Sequence, residues 1–306
     1  MQVESLKKSD IVLKSVPNLV DVVWGEERPA RPSQPVALLD VQYAGKSSQE
    51  KQAEIAEKLK TAEYEALLVT TLDDIAWMTN MRGTDIDYNP VFFSYMLFYP
   101  KRGADESRVT LFVDETKVTD VRDYLTSQKI EVRPYLQITE QLTEYSQNGI
   151  KVGVITESCN AELFRICGEH GVKADNVIQK TKAVKNAVEM AGMRNSNRRD
   201  CAAIIKYFAF LEEELRKEDH DLDEWKAARV LDDLRTHGEH HRGPSFPSIS
   251  SIGANGAVIH YEAEQHTAVK LNNNEIYLLD SGGQYLDGTV DITRTTHFGG
   301  NEPTAF

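Results

Sequence analysis

The sequence predicts an α/β (α+β) chain built on a mixed sheet, followed by a long helical stretch and then by short strands. Three observations carry this. Short apolar runs alternate with helical stretches between residue 37 and about residue 180. From Thr181 the apolar spacing turns helical and stays so to about Lys217. After His241, short apolar runs are separated by turns rich in Gly and Asp.

In chain order, residues 1–36 read as an arm or linker. Pro17, Pro29, Pro32 and Pro35 each remove a backbone donor and resist helix, and five acidic residues balance five basic ones. From Ala37 a globular pattern begins. Ser47 and Ser48 can cap a helix to about Ala62, with Ile55 and Leu59 four apart. The run from Ala66 to Thr70 suits a buried strand, and the stretches Pro90 to Tyr99, Val109 to Val113 and Ile150 to Ile155 follow as strands. A nearly continuous helix is predicted from Thr181 to about Lys217, and a second from Leu222 to Gly238. Eleven acidic against five basic residues between Glu212 and Glu239 read as a solvated helix face. Strands are expected over Ser248 to Ile252, Ala257 to Tyr261, Ile276 to Asp280 and Val290 to Thr296.

Composition narrows the classes. A chain of 306 residues has room for about two domains. Its 35 basic and 48 acidic residues leave a net charge of −13, which opposes phosphate backbones and anionic membrane surfaces, so neither nucleic acid nor membrane is an expected partner. With 41% apolar residues, wholesale disorder is excluded. No run approaches the roughly 18–20 apolar residues of a membrane-spanning helix, and the first ten residues carry no apolar secretory segment. Cys159, Cys167 and Cys201 are sparse and irregularly spaced, which reads as thiols in a reducing compartment and a cytoplasmic protein.

The most informative stretch runs from Ile276 to Thr295. An apolar strand ends in Asp280, Gly282 and Gly283 follow, then Asp287-Gly288, then a second strand opening with Asp291. Asp-Gly signals a hairpin, because a tight primed turn needs positive φ. A turn between Asp287 and Gly288 sets Gln284 opposite Asp291 and leaves Asp280 about 13 Å along the strand at ~3.3 Å per residue. Metals in a pair lie only ~3.5–4 Å apart, so a bend at the two glycines is needed to bring the carboxylates together. Facing carboxylates would suit a hard divalent ion such as Mn²⁺. Spacing alone leaves open an exposed turn whose aspartates cap backbone donors. Upstream, the Gly253 to Tyr261 segment presents His260 on a short strand, and a lone histidine there is more often a hydrogen-bonded structural residue than a catalytic one. His237, His240 and His241 lack zinc spacing, and no phosphate loop, dinucleotide fingerprint or nucleophile elbow occurs.

Several ordered motifs together resemble the eukaryotic cytosolic Xaa-Pro aminopeptidases (aminopeptidase P), a metallopeptidase family with the pita-bread fold. Thr71-Leu-Asp-Asp-Ile-Ala-Trp77 through Asn80, Arg82-Gly83 and Asn89-Pro90 to Tyr95 is similar to the signature of the family's middle domain. Lys182 to Asn186 with Glu189 and Gly192-Met193-Arg194 resembles the opening helix of its catalytic domain, and Ser245 to Ser251, His260 and the Asp280/Asp291 hairpin follow at the family's spacing. The resemblance implies a dinuclear site, usually manganese, with Asp280 and Asp291 as metal ligands and His260 as the catalytic histidine that contacts substrate. It implies cleavage of the bond between an N-terminal residue and a following proline by a metal-activated hydroxide, and a homodimer when complete.

The family's remaining ligands, one histidine and two glutamates, lie beyond the hairpin, and its first domain precedes the arm. The expectation is a chain incomplete at both ends and inactive by itself. Residues 1–36 would be a linker or remnant, 37–180 a whole creatinase/prolidase N-terminal-like middle domain, and 181–306 the first half of a pita-bread domain. Val290 stands where the family usually has a threonine. Two other readings are a prolidase of the same fold, which the middle-domain motif opposes, and a catalytically dead binding or regulatory relative.

Overall fold

The structure, a computed structural model, describes residues 6, 11, 12, 14, 16–100 and 107–299. They form two compact units. One comprises Met1–Leu38, Lys46–Asp85 and Pro90–Val184, and the other Leu39–Gly45, Ile86–Asn89 and Lys185–Phe306, each over its described residues.

The first unit is an α/β layer. Its helices are α1 (Ser48–Lys58), α2 (Leu72–Thr79), α3 (Arg122–Ser127), α4 (Gln137–Gln147), α5 (Ala161–Cys167) and α6 (Val177–Ala183). Its main strands are β1 (Ala66–Val69), β2 (Ser94–Tyr99), β3 (Arg108–Val113), β4 (Ile130–Pro134), β5 (Val152–Val154) and β6 (Gly171–Lys173), in the sheet order β4-β3-β2-β1-β5-β6. Only β2 runs against its neighbours, so the sheet is mixed, as the alternation of strands and helices predicts. Side chains alternate across a strand, and β1 shows the result. Leu67 and Val69 join the core that holds Ile55, Met78, Phe98 and Leu111, whereas Ala66 and Leu68 join the one that holds Phe112, Leu142 and Leu163. Both faces are therefore covered, which is why the strand reads as an unbroken apolar run.

Local signals explain the ends. Ser47 caps α1, its hydroxyl accepting from Glu50 N–H while the Glu50 carboxylate accepts from Ser47 N–H. The strand expected from Pro90 begins at Ser94. In the expected arm, Asn18 caps a six-residue helix, Leu19–Trp24, with no buried residue. The motif residues Asp74 and Lys182 meet here, with Lys182 Nζ 2.6 Å from the buried Asp74 Oδ1.

The predicted continuous helix from Thr181 is broken. α6 stops at Ala183, Val184 is extended, and α7 (Ala187–Glu214) starts afresh in the second unit. The cause is Asn186, whose side-chain oxygen takes the N–H groups of Val188 and Glu189 while Glu189 accepts from Asn186 N–H. A short polar side chain that satisfies those donors favours a helix start over a helix interior.

The second unit continues with α8 (Glu224–Thr236) and strands β7 (His241–Pro244), β8 (Ile249–Ile252), β9 (Tyr277–Ser281), β10 (Gly283–Tyr285), β11 (Gly288–Thr289) and β12 (Ile292–Thr296). They form two three-stranded sheets, β8-β9-β12 and β11-β10-β7. Ile204, Tyr207 and Leu211 of α7 and Ala227 and Leu231 of α8 build its core with Ile252, Tyr277 and Leu279. Tyr207 and Tyr277 are buried with their hydroxyls 2.6 Å apart, and Ser250 Oγ lies 2.8 Å from Tyr277 Oη, so each phenol has a partner. The strand expected over Ala257 to Tyr261 does not form. A 3₁₀ turn occupies Gly253–Ala257, and His260 follows with φ 55°.

Candidate metal centre

β9 and β10 form one arm of a hairpin interrupted at Gly282, and β11 and β12 form the other. The register differs by two residues from the one the Asp-Gly signal predicts. Gln284 pairs with Thr289 and Tyr285 with Gly288, so the turn centres on Leu286-Asp287 and not on Asp287-Gly288. Arg199 of α7 pairs with the Asp287 carboxylate, and a Cβ on Gly192 would come within 2.2 Å of Asp287 O. The turn is set by this packing against α7, which the dipeptide alone does not encode.

The shift brings the two aspartates closer along one face. Asp280 pairs with Thr293, and Val290 N donates to Gly283 O at 2.9 Å, so the register runs unbroken past Gly282. Asp291 then falls opposite Gly282, two positions from Asp280 on the same face. Such diagonal neighbours lie ~7–8 Å apart between Cα atoms, against the ~13 Å of the predicted register. Gly282 has no room for a side chain, since a Cβ there would lie 1.8 Å from Val290 O and 2.3 Å from Ser245 Oγ. Gln284 lies on the same face by alternation and donates to Tyr88 O at 2.9 Å, tying the Ile86–Asn89 stretch to the hairpin.

Asp280 Oδ1 is buried and has no hydrogen-bond partner. A buried carboxylate oxygen left over in this way has coordination to give to a cation. Asp291, on the same face by register, is exposed. The pair therefore fits a hard, oxygen-preferring metal. Among the described residues no group of three or more His, Cys, Asp or Glu side chains is gathered as a complete metal site would be. His260 is exposed, in a turn and not on a strand.

Behind Asp280 lies a buried network that sequence reasoning did not find. Arg235 Nε and Nη2 donate to Asp200 Oδ1 and Oδ2 at 2.9 and 3.0 Å, with both side chains essentially inaccessible. Arg235 Nη2 also donates to Ser281 Oγ at 3.0 Å, and Tyr285 Oη donates to Asp200 Oδ1 at 3.0 Å. Ser281 follows Asp280, so its hydroxyl ties the opposite face of the strand that carries the carboxylate. Burial pushes the Tyr285 phenol well up, and the Asp200 charge adds to this. Beside this cluster, burial and then Arg235 hold the His241 imidazole below its ordinary range. The 35-residue gap between Asp200 and Arg235 follows no local pattern, and the one available hint was a charged residue inside each helix's apolar spacing.

Residues 27–189 match the model of the creatinase/prolidase N-terminal domain, and residues 191–305 match that of metallopeptidase family M24. A probable Xaa-Pro aminopeptidase P of Sordaria macrospora is 44% identical over 299 residues, covering 94% of this chain and 47% of that protein. Its counterpart in Aspergillus niger is 43% identical over 307 residues, covering 97% and 49%. Among solved structures, X-prolyl aminopeptidase from Caenorhabditis elegans, described as a cytosolic enzyme with a di-nuclear active site, superposes with a TM-score of 0.90 at 32% identity. That match covers 99% of this chain and 49% of the other. The chain thus spans about half the length of the curated relatives it matches. No helix among the described residues is long and apolar enough to cross a membrane. The chain belongs to the creatinase/prolidase N-terminal domain family and continues into a domain of metallopeptidase family M24.

Proposed function

We propose that this chain is part of an Xaa-Pro aminopeptidase, which removes an N-terminal residue preceding proline from peptides in the cytoplasm. Asp280 and Asp291 act as metal ligands, His260 contacts the substrate, and the complete protein works as a homodimer. On this reading residues 37–180 are the middle domain and 181–306 belong to the catalytic domain. The observation that carries the reading is the buried, unpartnered Asp280 oxygen, two positions along one face from Asp291 in a stretch matching metallopeptidase family M24. Bound there, a pair of divalent cations, manganese on our reading, would supply Lewis-acid activation of water and charge stabilisation at the scissile carbonyl.

The chain's own residues hold and orient part of that site. The Arg235–Ser281 bond and the crowding at Gly282 hold the Asp280 backbone. His260, exposed in the turn that follows Gly253–Ala257, offers an imidazole to a peptide carbonyl or amine. Asp280 and Asp291 together present at most four oxygen atoms, whereas two hard cations want about six each, so further donors must join them. Residues 1–306 by themselves are accordingly expected to bind Mn²⁺ without appreciable release of the first residue from Xaa-Pro peptides.

Electron paramagnetic resonance titration with Mn²⁺ tests the ligand assignment. The wild-type chain should bind the ion, and Asp280→Asn should abolish binding while the chain stays folded by circular dichroism. Undiminished Mn²⁺ affinity in Asp280→Asn would refute the assignment.

A further inference from the structure

Glu224, the first residue of α8, is fully buried, although it belongs to the acidic stretch that the sequence suggests is a solvated helix face. Its carboxylate gathers donors from one long irregular segment. Oε1 accepts from Ile252 N–H at 2.8 Å, and Oε2 accepts from Val269 N–H at 2.9 Å and from Tyr261 Oη at 2.7 Å. Asn255 Nδ2 lies 3.1 Å from each carboxylate oxygen and 3.0 Å from Tyr261 Oη. The donors thus come from the beginning, the middle and the end of residues 252–269. Among the described residues no cation pairs with Glu224. Neutral donors and the N-terminus of α8 carry the burden of its charge, and hydrogen bonds to a charged acceptor are the stronger kind.

The segment so held contains His260. Between Ile252 and Val269 the chain forms one 3₁₀ turn and no strand, so little backbone pairing fixes its path. Yet it adopts the left-handed region twice, at Gly253 (φ 54°) and at His260 (φ 55°). Glycine does this freely, whereas histidine does so only where its surroundings over-determine it. The residue that follows His260 is Tyr261, whose hydroxyl is bound to Glu224. Burial pushes that phenol up to about 12, with the Glu224 bond adding, so it stays a donor at neutral pH.

We propose that Glu224 is a positioning residue: it clamps both ends of residues 252–269 and Tyr261, and so holds His260 in the left-handed turn that presents its imidazole to a peptide substrate. This rests on the reading that His260 contacts substrate. It adds to that reading the group that sets where the imidazole stands.

Nuclear magnetic resonance of the full chain, isotopically labelled at histidine, tests the proposal. The His260 resonances are assigned by their loss in His260→Asn. Glu224→Gln replaces one acceptor oxygen by a donor and should shift and broaden the His260 signals while histidines outside the segment keep theirs. Asn255→Ala, which spares the carboxylate, should shift the same signals by a smaller amount. Leu231→Ala, which opens the core shared by α8 without touching the segment, should lower the melting temperature and leave His260 in place. Unmoved His260 signals in folded Glu224→Gln, or in Asn255→Ala should Glu224→Gln not fold, would overturn the proposal. A movement in all three variants would also overturn it, by showing that His260 follows stability alone. Affinity for a short peptide with proline in second position, measured for wild type and His260→Asn, separately decides whether His260 contacts substrate.

Discussion

Replacing Asp200 by Asn should destabilise the second unit far more than a one-atom change suggests. Asp200 and Arg235 are 0% and 1% exposed, and the guanidinium reaches the carboxylate through two bonds. The amide keeps the shape of the acid but removes the countercharge and one acceptor, leaving a buried guanidinium with only Ser281 as an undamaged partner. Breaking a buried pair from one side costs about 3–5 kcal/mol. With a urea slope of ~2 kcal/mol/M, the unfolding midpoint should fall by ~1.5–2.5 M. That is a large part of the ~5–15 kcal/mol by which a domain is normally stable.

Trp225, the second residue of α8, provides a local reporter, because the other two tryptophans, Trp24 and Trp77, lie in the first unit. With 5-fluorotryptophan incorporated, its ¹⁹F resonance follows urea unfolding of the second unit alone. The double variant Asp200→Leu with Arg235→Met removes both charges and should be more stable than Asp200→Asn, because desolvation opposes most of the attraction in such a pair. A midpoint shift below ~0.5 M in Asp200→Asn, or a double variant no more stable than Asp200→Asn, would show that burial of the charge is not what makes the residue matter.

Three further outcomes follow from the same geometry. Gly282→Ala places a methyl 1.8 Å from a backbone carbonyl that Ser245 Oγ already holds at 2.7 Å, so a loss of about 3 kcal/mol is expected in a urea titration, and near-neutrality would contradict the close approach described at Gly282. Asn186→Ala removes the cap of α7 and the 2.9 Å bond from Asn186 Nδ2 to Ala44 O, and should cost about 1–2 kcal/mol by thermal melting followed by circular dichroism. His241 titrates below its ordinary range, so the unfolded chain takes up that proton first: its contribution is whole above about pH 6.5 and is lost as pH falls toward the lowered value. Urea midpoints between pH 7.5 and 5.5 should therefore fall less steeply in His241→Gln. Burial raises the Asp232 carboxyl, which acts in the opposite sense, so the comparison belongs in an Asp232→Asn background.

Much of the first unit is legible from its sequence because its strands obey local rules. Ala66 to Val69 is buried on both faces, so an unbroken apolar run is what the position requires, and Ser47 with Glu50 writes a helix start into four residues. The helix expected from Thr181 breaks for a related reason. Apolar spacing carries across Val184 to Val188, but the capping bonds of Asn186 and Glu189 are worth more locally than the continuation of a periodicity.

The site is less legible, and Asp280 shows why. Its residue type at the end of an apolar strand was a visible signal, yet its partner depended on the register, and the register depended on α7. Asp287-Gly288 favours one turn on backbone grounds, but the packed helix holds Asp287 through Arg199 and leaves no space at Gly192, and this tertiary preference moves the turn by one residue. Moving the turn by one residue moves the pairing by two, which keeps every side chain on its face while bringing the two aspartates from ~13 Å to ~7–8 Å apart along the backbone. Glu224 and Asp200 were invisible for the complementary reason. A buried acid satisfied by scattered donors, or by an arginine on another helix, has no spacing to recognise; its partners are defined only once the chain has folded. The residues that bear chemistry were thus partly readable, while those that place them were not, because placement is a property of the fold and not of any segment.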